Sequence, residues 1–362
     1  MILTVFIFST VFVLGAIIGS FLNVCIARLP LEKSLLWPKG SRCGNCCRPV
    51  RPRDNIPLVS YWVLRGRCRD CGARFSIRYF FIELLTALGF VLLLYLIAVD
   101  NVHQLPGLEQ MPWIAVPNAT VWVYFAHHAT LFSFLLVVAA CDLDQREIPL
   151  SVTLTGTLAG LGFALCAAWP WPHPPTPPFL LFPAGPNWTA PAAYREPPLG
   201  LYSWPFWWPL PEGFGDGGNW QTGLAVALLG AAAGAILLRL VRMIFTAGLG
   251  IEALGLGDAD LMMMAGAFLG WQPVVVAFFI APLPALVFAL VLRLGWGEQA
   301  IPFGPSLALA LMLTCLHWTT FGPAVAPMAW NGTLLLLMAG VGAVLMFVSG
   351  FIARLFRWLR GA

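Results

Sequence analysis

The chain has 362 residues, of which 59% are hydrophobic and 10% charged, with a mean hydropathy of +0.82 and a formal net charge of +4. An ordinary soluble domain carries roughly 25% charged residues, so a water-soluble core is excluded and lipid must be the solvent for most of the chain. The positive charge is concentrated in one loop, 26–78, which gives nucleic-acid binding no support.

A bilayer-spanning helix needs about 20 mostly apolar residues. The first such stretch is 1–25. No basic residue precedes it and no small-x-small cleavage signal follows, so it reads as a retained span rather than a signal peptide. The loop 26–78 then holds 12 of the 20 Lys and Arg residues against three acids, which places it on the cytoplasmic side. It contains Cys43-x2-Cys46 and, 21 residues on, Cys68-x2-Cys71. Two such knuckles predict a tetrahedral zinc site that closes the loop between them, and a cytoplasmic location keeps the thiols reduced. Cys47 could replace Cys46 as a ligand, and a redox pair is the other reading. A four-cysteine site has no open coordination position, so it organises the loop and performs no chemistry. Cys25, Cys141, Cys166 and Cys315 sit in apolar runs and are read as packing residues.

Residues 79–168 hold three further spans, near 79–99, 121–141 and 150–168. Between the last two lies the acidic run Cys141 to Pro149, with Asp142, Asp144 and Glu147. The segment 169–221 is an extracytoplasmic insertion, with seven Trp and 14 Pro between Trp169 and Trp220. So many prolines forbid a continuous helix. Residues 222–320 supply spans near 222–240 and 303–320, and between them an apolar run of 34 residues from Ala259 to Leu292. Gly270, Trp271, Gln272 and Pro273 form a turn signal that divides this run into two. A last span near 333–353 and a tail with Arg354, Arg357 and Arg360 complete 321–362. The fold class is therefore all-α polytopic, with about nine transmembrane helices and a zinc-binding loop after the first. Nine spans put every basic residue except Arg195 on one face.

Acids are scarce, and an ionisable group at or within a span is a candidate functional group. A second acidic run, Glu252 to Asp260, contains Gly255-Leu256-Gly257-Asp258 at the start of the sixth span. The topology derived from basic residues puts both acidic runs on the same face. Gly255 and Gly257 are expected to allow unusual dihedrals beside a carboxylate presented at a helix entrance. Two carboxylates brought together share a proton, so one can activate water while the other assists the substrate carbonyl. The other reading is solvated acids at helix ends. His127, His128 and His317 are read as helix-packing residues.

In combination these features resemble the type IV prepilin peptidase family of GxGD membrane aspartic proteases. The resemblance rests on Gly19-Ser20-Phe21-Leu22-Asn23-Val24 with Ala27-Arg28-Leu29-Pro30, the double CxxC, Asp54-Asn55-Ile56-Pro57 and Ser76-Ile77-Arg78-Tyr79 leading to Glu83. It continues through Asp142 to Ile148-Pro149, Gly255 to Asp258, and Ile301-Pro302-Phe303-Gly304-Pro305, in family order. The resemblance implies that Asp142 and Asp258 are the catalytic pair. It implies cleavage of a basic leader, after Gly, from type IV prepilin or type II secretion pseudopilin precursors at the cytoplasmic face of a bacterial inner membrane. It also implies methylation of the new N-terminus with S-adenosyl-L-methionine as donor, for which the loop 26–78 is the expected location. Asp260 stands where the family often has Lys, which adds negative charge beside the pair. Rival readings are another intramembrane GxGD protease, and a transporter with a zinc-stabilised loop.

Overall fold

The computed structural model describes residues 2–35, 40–103, 119–166, 220–250, 255–296, 302–329 and 332–359. The insertion up to residue 219, Glu252 and the outermost tail lie outside the described residues. Every regular element among the described residues is helical: α1 (Ile2–Arg28), α2 (Val59–Val63), α3 (Arg78–Ala98), α4 (Ala119–Gln145), α5 (Leu150–Cys166), α6 (Trp220–Leu249), α7 (Leu256–Leu269), α8 (Trp271–Ile280), α9 (Pro282–Trp296), α10 (Gly304–Leu316), α11 (Trp318–Ala329) and α12 (Gly332–Leu359). Helices follow from the solvent, because in lipid each backbone N–H and C=O must be satisfied within its own segment.

The helix ends follow from local sequence. Pro30 cannot continue α1, which ends at Arg28. Arg146 takes a left-handed φ of 55° just past α4, with Pro149 three residues on. Gly270 ends α7 at φ 79°, ψ 174°, a conformation open to glycine alone. The break expected inside 259–292 therefore falls at Gly270.

Among the described residues six helices are long and apolar enough to cross a membrane, within Ile2–Leu31, Arg78–Ala98, Val121–Gln145, Gly223–Leu249, Trp271–Val291 and Thr333–Ile352. The other three expected spans fall on α5, α7 and α10, of 17, 14 and 13 residues. At 1.5 Å per residue these reach about 20 to 26 Å, against a hydrocarbon core of about 30 Å. The span expected over 303–320 is interrupted at His317, where φ −105° and ψ 22° leave the helical region between α10 and α11.

The chain forms two compact units, one of 1–101 and 107–152, the other of 102–106 and 153–362. In the first, α1 and α3 cross with their backbones in contact. A Cβ added at Gly15 would stand 2.7 Å from Ala87 Cα, and one at Gly19 2.7 Å from Glu83 Cα. α4 joins through Phe90, whose ring meets those of Phe125 and Phe132 edge-on at 5.8 and 6.5 Å. In the second unit α6 and α7 cross in the same way. A Cβ at Gly230 would stand 2.1 Å from the Gly266 carbonyl oxygen, and one at Gly234 2.2 Å from that of Met262. Two small residues four apart on one helix permit this approach, and between apolar helices in lipid the contact itself is the source of stability.

Candidate functional site

The cysteine loop folds as two copies of one knuckle. In the first, the Cys43 N–H donates to the Arg48 carbonyl and the Cys47 N–H to the Cys43 carbonyl, at 3.1 and 3.0 Å. In the second, the Cys68 N–H donates to the Ala73 carbonyl and the Gly72 N–H to the Cys68 carbonyl, at 2.8 and 2.9 Å. One isolated antiparallel bridge closes each, Arg42 to Pro49 and Arg67 to Arg74. The sulfurs of Cys43, Cys46, Cys68 and Cys71 all lie within 4.8 Å of one another, and those of Cys43 and Cys71 are 3.7 Å apart. Zinc–thiolate bonds of about 2.3 Å in a tetrahedron give edges of about 3.8 Å, so the four thiols fit that ion. Cys46 completes the set; Cys47 is exposed and outside it.

Backbone donors favour the thiolates. The N–H groups of Cys46 and Asn45 lower the Cys43 thiol, and the Ala73 N–H draws Cys71 down to about 6, helped by the Asn45 side chain. At Cys46 the Arg48 N–H works in the same direction, but burial and the neighbouring sulfurs outweigh it and push the thiol up to about 11. Four thiols so close cannot all ionise without a cation between them, which is a metal site's condition. Outside the cluster, Arg69 grips Asp54 with bonds of 2.7 and 2.9 Å and holds its carboxyl below the usual range. Arg51 reaches Asp70 at 3.3 Å. These pairs tie the second knuckle to the chain between the two.

Asp142 lies in the last turn of α4 and Asp258 in the first turn of α7, each 8% exposed. They belong to different units. Two residues beyond Asp142, Asp144 pairs with Arg78 at the start of α3. Asp258 follows Gly255, the residue before α7, whose φ −69° and ψ 151° are ordinary. Gly257 is helical, and neither glycine has positive φ. The unusual dihedrals expected of this motif are absent. What the glycines provide is the lack of side chains around a carboxylate at a helix N-terminus, where the dipole favours negative charge. Asp260 faces Arg239 at 3.6 Å, which offsets the added negative charge anticipated there. Of the acids considered as solvated, Asp144 and Asp260 thus already hold arginines, while Glu147 is exposed. His127 and His128 are buried on α4, and His128 Nδ1 meets the Tyr124 carbonyl at 2.7 Å, consistent with packing roles.

The first unit also holds a cavity of about 570 Å³ between the cysteine knuckles, the Arg28 end of α1 and the Arg78 end of α3. Such a volume is typical of a small-molecule site. Ser20, Asn23 and Glu83 line its helical end, and residues from Ser41 to Arg74 line the rest. Sequence reasoning left these three without a role. Their signal was present: a carboxylate and an amide inside otherwise apolar spans.

Residues 13–97 match the family described as Bacterial Peptidase A24 N-terminal domain, and residues 212–290 the Type IV leader peptidase family. Asp258 lies in the second match and Asp142 between the two. The chain is 32% identical over 288 residues to a prepilin leader peptidase/N-methyltransferase of Myxococcus xanthus, an alignment covering 79% of this chain and 63% of that protein. It is 30% identical over 331 residues to the protein of that name from Aeromonas salmonicida, covering 84% and 88%. A Klebsiella pneumoniae protein of the same name is 33% identical over 270 residues, covering 73% and 86%. No solved structure matches.

Proposed function

The chain belongs to the type IV leader peptidase family, and on that premise we propose that it is a bifunctional prepilin peptidase and N-methyltransferase of a bacterial inner membrane. The substrate is a type IV prepilin or type II secretion pseudopilin whose apolar helix lies in the bilayer with its basic leader on the cytoplasmic side. The reading is carried by Asp142 and Asp258, two nearly buried carboxylates at helix ends in a chain poor in acids.

In this mechanism Asp142 and Asp258 share one proton. The ionised partner takes a proton from water, which attacks the carbonyl of the Gly before the cleaved bond, and the protonated partner donates to that carbonyl oxygen. The tetrahedral intermediate then collapses and the proton passes to the leaving amine. Cys43, Cys46, Cys68 and Cys71 would hold zinc, which would brace the loop that lines the cavity. S-adenosyl-L-methionine supplies the methyl group for the freed amine, and the cavity of the first unit has the volume and the polar lining to receive it. Arg78 pairs with Asp144 and so joins the end of α4 that carries Asp142 to the start of α3. Replacing Asp142 or Asp258 by Asn should each lower leader cleavage of a co-expressed prepilin by about 10²–10⁴-fold at normal chain abundance, read by the mobility of the processed product. Cleavage retained in both single variants rejects the pair.

A further inference from the structure

The α1–α3 crossing brings Ser20, Asn23 and Glu83 to one end of the cavity. Gly19 rests on the Glu83 backbone, so the residue after it, Ser20, meets the Glu83 carboxylate through its hydroxyl. The Leu58 N–H donates to Glu83 Oε2 at 2.7 Å. Leu58 takes a φ of 64° to do so, a costly conformation that persists where its surroundings enforce it. A carboxylate has about four acceptor positions, and two are accounted for.

Asn23 is 2% exposed. Its side-chain nitrogen donates to the Tyr79 carbonyl at 2.9 Å. Since that carbonyl can only accept, the orientation of the amide is set, and Oδ1 is left buried without a partner, on a residue that contributes to the lining of the cavity. A buried acceptor lacking a donor beside a carboxylate asks for a ligand rich in N–H groups and carrying positive charge. A primary ammonium meets both demands. Asn23 and Glu83 each lie five residues from a helix end at Arg28 or Arg78, about 7.5 Å along the axis. A substrate helix cleaved one to two turns below that end would present its new N-terminus to these groups.

We propose that Asn23 Oδ1 and the Glu83 carboxylate receive the α-ammonium group freed by cleavage, and that Glu83 accepts its proton so that the amine can be methylated. This rests on the functional reading above. The N–H bond breaks with its proton passing to Glu83, and the amine lone pair forms a bond to the methyl carbon of a sulfonium donor. The C–S bond breaks with its pair going to sulfur, which leaves a neutral thioether and a methylated ammonium. Glu83 then returns its proton to water. Asn23 is a positioning residue in this scheme, and Ala27, one turn further along α1, lines the part of the cavity open to the donor.

The test uses the full chain in detergent with a prepilin precursor. The product N-terminus is read by mass spectrometry, S-adenosylhomocysteine binding by calorimetry, and folding by zinc content. Glu83→Gln should keep zinc and bind S-adenosylhomocysteine within about threefold of the parent chain, while the rate of methylation falls by about 10²-fold or more. Glu83→Asp should regain part of that rate. Ala27→Trp should weaken S-adenosylhomocysteine binding by about tenfold or more through loss of space. Methylation at the parental rate in Glu83→Gln overturns the assignment, as does unchanged binding in Ala27→Trp. If Glu83→Gln loses its zinc, Asn23→Leu carries the same test, with parental methylation again overturning it. A parent chain that cleaves the precursor but never methylates it rejects the functional reading instead, which separates the two failures.

Discussion

Cys47 and Gly72 occupy the same place in the two knuckles, one residue past the second cysteine, with φ of 57° and 69°. A left-handed backbone there turns each knuckle back on itself, and glycine adopts it without steric cost. Cys47 is therefore a residue carried at a turn, outside the cluster of four sulfurs. Cys47→Gly should keep zinc at the parental stoichiometry and leave stability unchanged or raised by about 1 kcal/mol, whereas Cys46→Ser should lose the metal; elemental analysis of the purified proteins separates them. Asp54 supports a second expectation at this scale. Its carboxyl is held below the usual range by the Arg69 guanidinium, so its contribution to stability is complete above the unfolded carboxylate pKa of about 3.9 and fades as pH falls through the lower folded value. The deficit of Asp54→Asn in thermal unfolding should thus be constant from about pH 5 to 8 and shrink only below about pH 4. A deficit that varies across the neutral range would assign the effect to another group.

Each unit is organised around one helix carrying two glycines four residues apart, Gly15 and Gly19 on α1 and Gly230 and Gly234 on α6. Both crossings position chemistry. The first sets Ser20 beside Glu83, and the second anchors α7, whose first turn carries Asp258. These pairs were visible as sequence spacing, yet spacing cannot say which neighbour a glycine meets, because that depends on rotation and tilt of both helices. Gly230→Ala would drive a methyl group into the Gly266 carbonyl, so it should cost about 3 kcal/mol or more and sharply reduce the folded chain recovered from membranes. Gly340→Ala on α12, where nothing lies within 4 Å, should be silent or slightly stabilising in the same thermal assay, since alanine is the better helix former. Equal recovery of the two variants would show that the α6–α7 crossing does not control it.

At the scale of the whole molecule, the proposed catalytic pair is divided, with Asp142 on the first unit and Asp258 on the second. The dyad assignment requires Asp142 and Asp258 to come within proton-sharing distance. Leu143 and Gly255 are exposed neighbours of the two aspartates, so a chain with Leu143→Cys and Gly255→Cys should be joined by a short bismaleimide at those positions, identified by peptide mass spectrometry. Failure to join them, under conditions that join Arg78→Cys to Asp144→Cys within the first unit, would reject the pairing. Composition alone determined that this is an all-helical membrane protein, because so few charges cannot clothe so apolar a chain in water. The CxxC spacing marked Cys43, Cys46, Cys68 and Cys71 as candidate metal ligands up to the choice at Cys47, since two thiolates three residues apart can close on one ion. The acidic motifs placed Asp142 and Asp258 at helix ends, because glycine, proline and charge mark where apolar helices stop. Only the tertiary structure decided that Asp144 and Asp260 already hold arginines, and that Ser20, Asn23 and Glu83 meet at one cavity. Those relations join residues up to 66 positions apart, and they depend on how helices cross, which local patterning does not encode.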